Sequence, residues 1–244
     1  MSFVDKPQRA ATVGALGQRL DRKYYQAVPA QSLSEYVLIA ARDCIYEDFI
    51  EHCRPRATDR ILDVGVSDIV SEAANLVERK YPYPDRITAA GLGVAGEFRE
   101  TFPKVTYAQI EANRPLPFRD KHFDIATSNA VLEHVGSRAN QELFVREMIR
   151  VAHRVFISVP NRWFPVEHHT GIPLAHYWNK PFRLACEWLR CSEWTEEANL
   201  IQMSKKSLGS LAPPDVSWRT GYTGIPLGPI SSNLFILFGA TRSE

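Results

Sequence analysis

From residue 60 onward, short apolar runs alternate with stretches of helical periodicity, and this alternation constrains the fold more than any other feature of the chain. The runs are Arg60–Val64, Ile87–Leu92, Val105–Ile110, Phe123–Ser128 and Arg154–Val159, with helical spacing at about 71–80 and 138–152. A strand, a helix and a second strand in succession make a right-handed βαβ unit. Several such units build a parallel sheet covered by helices on both faces. The class expected is α/β.

The flanking segments obey other patterns. Ser32-Leu33-Ser34-Glu35 reads as a capping box. Leu33, Val37, Leu38, Ala41, Ile45, Phe49 and Ile50 then recur at helical spacing, which predicts one amphipathic helix from about 33 to 53, ending before Pro55. Residues 1 to about 30 are polar and read as a partly ordered arm. After Pro160 the alternation stops. A segment rich in Pro, His and aromatics runs to about Lys180, and Pro181 opens a helix carrying Leu184, Trp188 and Leu189. Val216–Tyr222 and Leu234–Phe238 read as a final pair of strands joined by the Gly/Pro-rich loop 224–229.

Composition narrows the function classes. With 45% hydrophobic and 23% charged residues in 244, the chain has material for a single core. Twenty-nine basic side chains against 28 acidic ones leave a net charge of +1, without the excess positive charge of a nucleic-acid footprint. Cys44, Cys53, Cys186 and Cys191 show neither C-x-x-C spacing nor zinc-finger pairing with His, and read as reduced thiols of a cytoplasmic protein. The first twenty residues have no apolar core, so no secretory signal is expected. Leu234–Phe238, the longest apolar run, is far short of the ~18–20 residues that span a bilayer.

Two segments carry chemistry. In Ile61-Leu62-Asp63-Val64-Gly65-Val66-Ser67-Asp68 an apolar strand runs into Asp-x-Gly and then a helix. A glycine there lets backbone N–H groups approach a ligand at the carboxyl end of the strand, although an ordinary strand-to-helix turn has the same appearance. Asp68 is placed either to cap that helix or to touch a ligand. The second segment, residues 116–135, reads LPF, a polar turn, FDI, a strand and then Leu132-Glu133-His134-Val135. It resembles the class I S-adenosylmethionine-dependent methyltransferases, in particular the small-molecule group with the order LPF…FD…LEHV. Ser158-Val159-Pro160-Asn161-Arg162-Trp163-Phe164-Pro165-Val166-Glu167-His168-His169-Thr170 is similar to the PNRWFP-E-x-HT segment of one bacterial branch of that group.

The resemblance implies a Rossmann-like seven-stranded sheet, mostly parallel, with helices on both faces and the last strand antiparallel. It implies an arm and capping helix over 1–55, a methyltransferase domain over 56–244, and a substrate-side insertion at about 160–215. S-adenosyl-L-methionine is the implied cofactor. Asp63, Gly65, Val66, Ser67 and Asp68 would lie by its methionine and ribose, Gly91 and Leu92 at the end of the second strand, Glu111 and Ala112 by the adenine, and Asn129 and Ala130 by the sulfonium. Carboxylates suit the cofactor's amine, diol and adenine amino donors, and backbone N–H groups suit its carboxylate.

The implied activity is methyl transfer to a small-molecule or glycan acceptor, with oxygen or carbon favoured because an N-P-P-Y motif is missing. His134 and His169 are the implied catalytic residues, though His134 equally serves as a support for its loop. Asn161, Trp163, Glu167, His168 and Tyr177 are the implied acceptor wall, and an apolar lid over the core is the other reading of the aromatics. The cluster Glu167, His168, His169 and His176 lacks helical H-x-x-x-H spacing, so no metal is expected. Arg22–Tyr25 would be a lid or a surface tail, and a homodimer stays open.

Ser67 and Ile69 stand where the family has its second and third loop glycines. Gly93 stands where the branch keeps a ribose-binding acid, with Glu97 the next acid along. These departures keep a second reading in play, a catalytically silent binding protein or partner subunit of the same fold. A nicotinamide-dependent oxidoreductase would need G-x-G-x-x-G after the first strand, which Gly65–Val70 lacks.

Overall fold

The computed structural model describes residues 33–68, 70 and 74–239. The expected arm, the Ser32 cap, the Arg22–Tyr25 lid, Ile69 and the start of the 71–80 helix lie outside the described residues. In chain order the elements are α1 (Leu33–Cys53), β1 (Ile61–Val64), α2 (Leu76–Lys80), β2 (Ile87–Gly91), α3 (Gly96–Thr101), β3 (Thr106–Gln109), β4 (Phe123–Asn129), α4 (Arg138–Val151), β5 (Ala152–Pro160), α5 (Asn179–Leu189), α6 (Lys205–Gly209), β6 (Trp218–Thr223) and β7 (Asn233–Phe238). The seven strands form one sheet in the order β3-β2-β1-β4-β5-β7-β6. Five pair in parallel, and β7 runs antiparallel between β5 and β6.

Successive strand residues point to opposite faces, so each strand feeds two cores. Leu62, Val64, Ala126, Val155 and Ile157 join Val145, Met148 and Val151 of α4 on one face. Ile61, Ala89, Ile125 and Phe156 join Ile45 and Phe49 of α1, Val77 of α2 and Phe98 of α3 on the other. Register follows from this pattern, with Ile61 opposite both Ile87 and Ile125. Ser137 caps α4, its side chain accepting from the Asn140 N–H at 3.2 Å. α3 has no counterpart in the sequence reading. At six residues it buries only Phe98, too little to show a helical period.

The same alternation turns Asp63 of β1 toward the α1–α2 face, where it meets Glu78 of α2. Glu78 is 4% exposed and neither of its carboxylate oxygens has a hydrogen-bond partner. Burial raises both acids, Asp63 to about 7, and the Asp63 charge raises Glu78 further. A carboxylate raised in the folded state stabilises the fold fully below its unfolded value near ~4 and loses that contribution as pH rises through about 7. The contribution of this pair is therefore expected to fall between pH 4 and pH 8. Thermal melts of Glu78→Gln should show a flatter pH profile and a higher Tm than wild type at pH 8. A parallel profile would show that this pair does not set the pH dependence.

Candidate active site

The loops leaving the carboxyl ends of β1 to β4 meet α4 around a cavity of about 130 Å³. Strand order reverses between β1 and β4, and a ligand crevice opens at such a switch point. Its walls are Val64, Gly65, Val66 and Asp68 after β1, Leu92 and Gly93 after β2, Ile110 to Arg114 after β3, and Val131, His134 and Val135 after β4. Asn140, Phe144 and Glu147 of α4 close one side.

Gly65 has φ +95°, and a β-carbon there would fall 2.2 Å from Val131 Cγ2, so only glycine fits. Its N–H donates to the Ala90 carbonyl at 2.8 Å. Asn75 holds the loop beyond: its Oδ1 accepts from the Ser67 N–H at 2.9 Å and its Nδ2 donates to the Ser67 carbonyl at 3.1 Å. Because α2 starts at Leu76 behind Asn75, Asp68 does not cap it. Instead the Asp68 carboxylate reaches across to β2. A β-carbon on Gly93 would lie 2.5 Å from Asp68 Oδ2. Asp68 Oδ1 is buried without a hydrogen-bond partner. Burial raises the carboxyl, and a hydrogen bond from the Ala95 N–H works in the opposite direction. An acid thus stands over Gly93, delivered by the first loop instead of the second strand. Glu97 is exposed on α3, outside the cavity wall.

The other expected cofactor contacts divide. Leu92, Glu111 and Ala112 are in the wall, Glu111 as an exposed rim acid with Arg114 Nε at 4.0 Å. Asp63, Ser67, Gly91, Asn129 and Ala130 are not in it. Asn129 Oδ1 accepts from Ser158 Oγ at 2.6 Å, and the Ala130 N–H donates to the Ser158 carbonyl at 2.9 Å, which ties the ends of β4 and β5 together.

His134, in the cavity wall, continues into a second cluster. Gln141 of α4 donates to the Leu132 carbonyl at 3.1 Å, and Ile201 N–H donates to the Glu133 carbonyl at 2.8 Å, so the 132–134 turn is held from both sides. His134 Nδ1 lies 2.7 Å from the Asn199 carbonyl, and its Nε2 lies 3.0 Å from His169 Nε2. His169 Nδ1 is 2.9 Å from Glu167 Oε1. Glu167 Oε2 accepts from the His169 and Thr170 N–H groups and the Thr170 hydroxyl, at 3.0, 2.7 and 2.7 Å. Burial opposes charge on Glu167, but the hydrogen bonds from His169 and Thr170 outweigh it and hold the carboxyl down at about 2. Burial, with His169 alongside, lowers His134 to about 3, and burial raises Glu133 to about 7.

The expected acceptor wall is partly spent inside the fold. Asn161 is 2% exposed; its Nδ2 donates to the Pro229 and Ser231 carbonyls and its Oδ1 accepts from the Trp163 N–H. His168 is buried against Phe164, which lowers it to about 4. Trp163 is 44% exposed, with Tyr177 edge-on at 5.5 Å and the Tyr177 hydroxyl on its carbonyl. Trp194, which no motif singled out, is buried and stacks on His169 at 4.8 Å. All four cysteines are free. No helix among the described residues is long and apolar enough to cross a membrane.

Residues 62–154, which build nearly the whole cavity, match the family described as "Methyltransferase domain". No curated protein matches the sequence. Solved structures share the fold at low identity. A protein of Pyrococcus horikoshii OT3 is 11% identical with a TM-score of 0.57, over 91% of this chain and 99% of that one. The methyltransferase domain of the bacterial CtHen1-CN is 13% identical at 0.53, over 83% and 100%. A SAM-dependent methyltransferase of Thermotoga maritima is 12% identical at 0.51, over 93% and 96%.

Proposed function

We propose that this chain is an S-adenosylmethionine-dependent methyltransferase that holds its cofactor in the β1–β4 cavity and methylates an oxygen of a small-molecule or glycan acceptor beside His134 and His169. One observation carries the reading: the segment that matches a methyltransferase domain encloses a cavity at the switch point, and that cavity ends on the histidine cluster.

The residues present suit the cofactor. Asp68 offers a buried carboxylate oxygen with no partner in the fold, fit for a ribose diol or an amine, and Gly65 leaves room at the backbone. Leu92, Ile110 and Phe144 give apolar wall against which a purine can pack, with Glu111 at the rim for its amino group. When bound, the cofactor supplies an electrophilic methyl group on a sulfonium. The protein's part is alignment, worth several kcal/mol in an in-line displacement, and removal of the acceptor's hydroxyl proton toward the imidazole cluster that Glu167 orients. Trp163 presents an exposed ring on which a sugar or aromatic acceptor can stack.

Asp68→Asn is expected to weaken S-adenosylhomocysteine binding at least ~10-fold, about 1.4 kcal/mol, by titration calorimetry. An unchanged Kd would take Asp68 out of the site. The acceptor assignment is tested with methyl-tritiated cofactor and pools of hydroxyl- and amine-bearing compounds. Transfer to hydroxyls, lowered at least ~100-fold by His169→Gln with cofactor affinity kept, is the expected result. Transfer to amines alone would contradict the oxygen assignment. A silent binding protein of the same fold is the second reading, favoured by Ser67 in place of a loop glycine. Cofactor binding without transfer to any acceptor pool would select it.

A further inference from the structure

We propose that Glu133, His134 and His169 form a binding site for a divalent transition-metal ion of the zinc class. One ligand atom from each of the three lies within 4.8 Å of the other two. The two imidazoles face each other through Nε2 at 3.0 Å, while each Nδ1 sits on an oxygen that can only accept: the Asn199 carbonyl for His134 and the Glu167 carboxylate for His169. Each Nδ1 therefore carries its ring proton, and the two Nε2 atoms meet at 3.0 Å. Two Nε2 lone pairs at that separation repel unless a cation, either a proton or a metal ion, stands between them. Two zinc–nitrogen bonds of ~2.0–2.1 Å at a tetrahedral angle set their nitrogens about 3.3 Å apart, close to the spacing found.

The carboxylate supplies an independent observation. Glu133 is 1% exposed, and no hydrogen bond reaches either of its oxygens, although His169 and, more weakly, Arg42 lend a favourable charge. Glu133 Oε1 is 3.9 Å from His134 Nε2, on the shared side of the cluster. Two imidazole nitrogens and one carboxylate oxygen suit zinc-like ions better than magnesium or calcium, which favour all-oxygen sets. The supporting bonds have the form found behind metal-bound histidines, an imidazole N–H on a carbonyl or a carboxylate. Glu167 is itself fixed by Thr170, and Trp194 stacks on the His169 ring. Three protein ligands leave open coordination positions, and His134 in the cavity wall gives a route to them; with the ion bound both Nε2 atoms are engaged, so a hydroxide on the ion would take the acceptor's proton in their place. Sequence spacing concealed the set because His134 and His169 are 35 residues apart, on different loops.

The test is titration of the purified, chelator-treated full chain with Co²⁺, read by visible absorption, and with Zn²⁺ in competition. One equivalent of Co²⁺ with d–d bands of nitrogen and oxygen ligation, displaced by Zn²⁺, is expected. Glu133→Gln and His169→Asn should each weaken binding at least ~100-fold, while His153→Ala, at the opposite end of β5, binds as wild type. S-adenosylhomocysteine titration of the same variants checks that they remain folded and reports on the cofactor site separately. If one variant fails to fold, the other and the wild-type stoichiometry still decide. No binding by the wild type, thiolate charge-transfer bands, or unchanged affinity in a folded variant would overturn the site and leave a proton shared between the imidazoles. Metal binding with no S-adenosylhomocysteine binding would uphold the site while defeating the methyl-transfer reading.

Discussion

Asp59→Ala is expected to destabilise the fold by about 3–5 kcal/mol. Asp59 is 4% exposed and Arg154, at the start of β5, is 5% exposed. Arg154 Nη2 donates to Asp59 Oδ2 at 2.7 Å, and its Nη1 donates to the Cys53 carbonyl at the last residue of α1. Asp59 also accepts from the Arg56 N–H at 3.1 Å. The pair therefore joins the end of α1, the turn into β1 and the sheet. Removing the acid leaves a buried guanidinium without its counter-charge, and the penalty is the desolvation of that charge. At about 2–4 °C per kcal/mol for a chain of this size, the Tm should drop by roughly 6–20 °C. Replacing both partners with apolar residues of similar volume should recover much of the loss, because the isolated charge disappears with its partner. Thermal and urea melts of single and double variants measure both effects. A single-variant loss below about 1 kcal/mol would contradict the assignment.

Gly65→Ala is expected to cost about 2–5 kcal/mol and to abolish cofactor binding in the micromolar range. Two penalties combine: a non-glycine residue at φ +95° is strained, by about 1–3 kcal/mol, and its β-carbon collides with Val131. Neither neighbour can yield cheaply. The Gly65 N–H is bonded to the Ala90 carbonyl, and Val131 leads into the Leu132–His134 turn that Gln141 and Ile201 hold in place. Relief of the clash must therefore move either the loop after β1 or the turn bearing His134, both of which are walls of the cavity. Melts give the first effect and calorimetry with S-adenosylhomocysteine the second. Wild-type affinity in Gly65→Ala would place the cofactor elsewhere.

The sheet was legible in the sequence because each strand is a short apolar run closed by polar or glycine residues, a local signal. Boundaries moved by a residue or two where an apolar side chain follows the last paired position, as at Leu92 and Ile110. α3 escaped because a single buried Phe98 shows no period. At the site, Gly65 was legible, since a glycine between a strand and a helix has few other uses. Asp68 was not resolved between cap and ligand contact, because the decision depends on where the next helix begins and on how close β2 passes. The absent acid at Gly93 looked like a loss, and only the fold shows that Asp68 fills that space. Asp63 matched the motif, yet strand alternation turns its side chain away from the cavity and toward Glu78. The meeting of Glu133, His134 and His169 under Trp194 is a contact between separate loops, which no spacing rule reaches.

Cofactor binding in the β1–β4 cavity is tested by calorimetric titration of the full chain with S-adenosylmethionine and S-adenosylhomocysteine, alongside Asp68→Asn. One site of micromolar affinity for both compounds is expected, weakened at least ~10-fold by the substitution. No binding to the folded wild-type chain would contradict it.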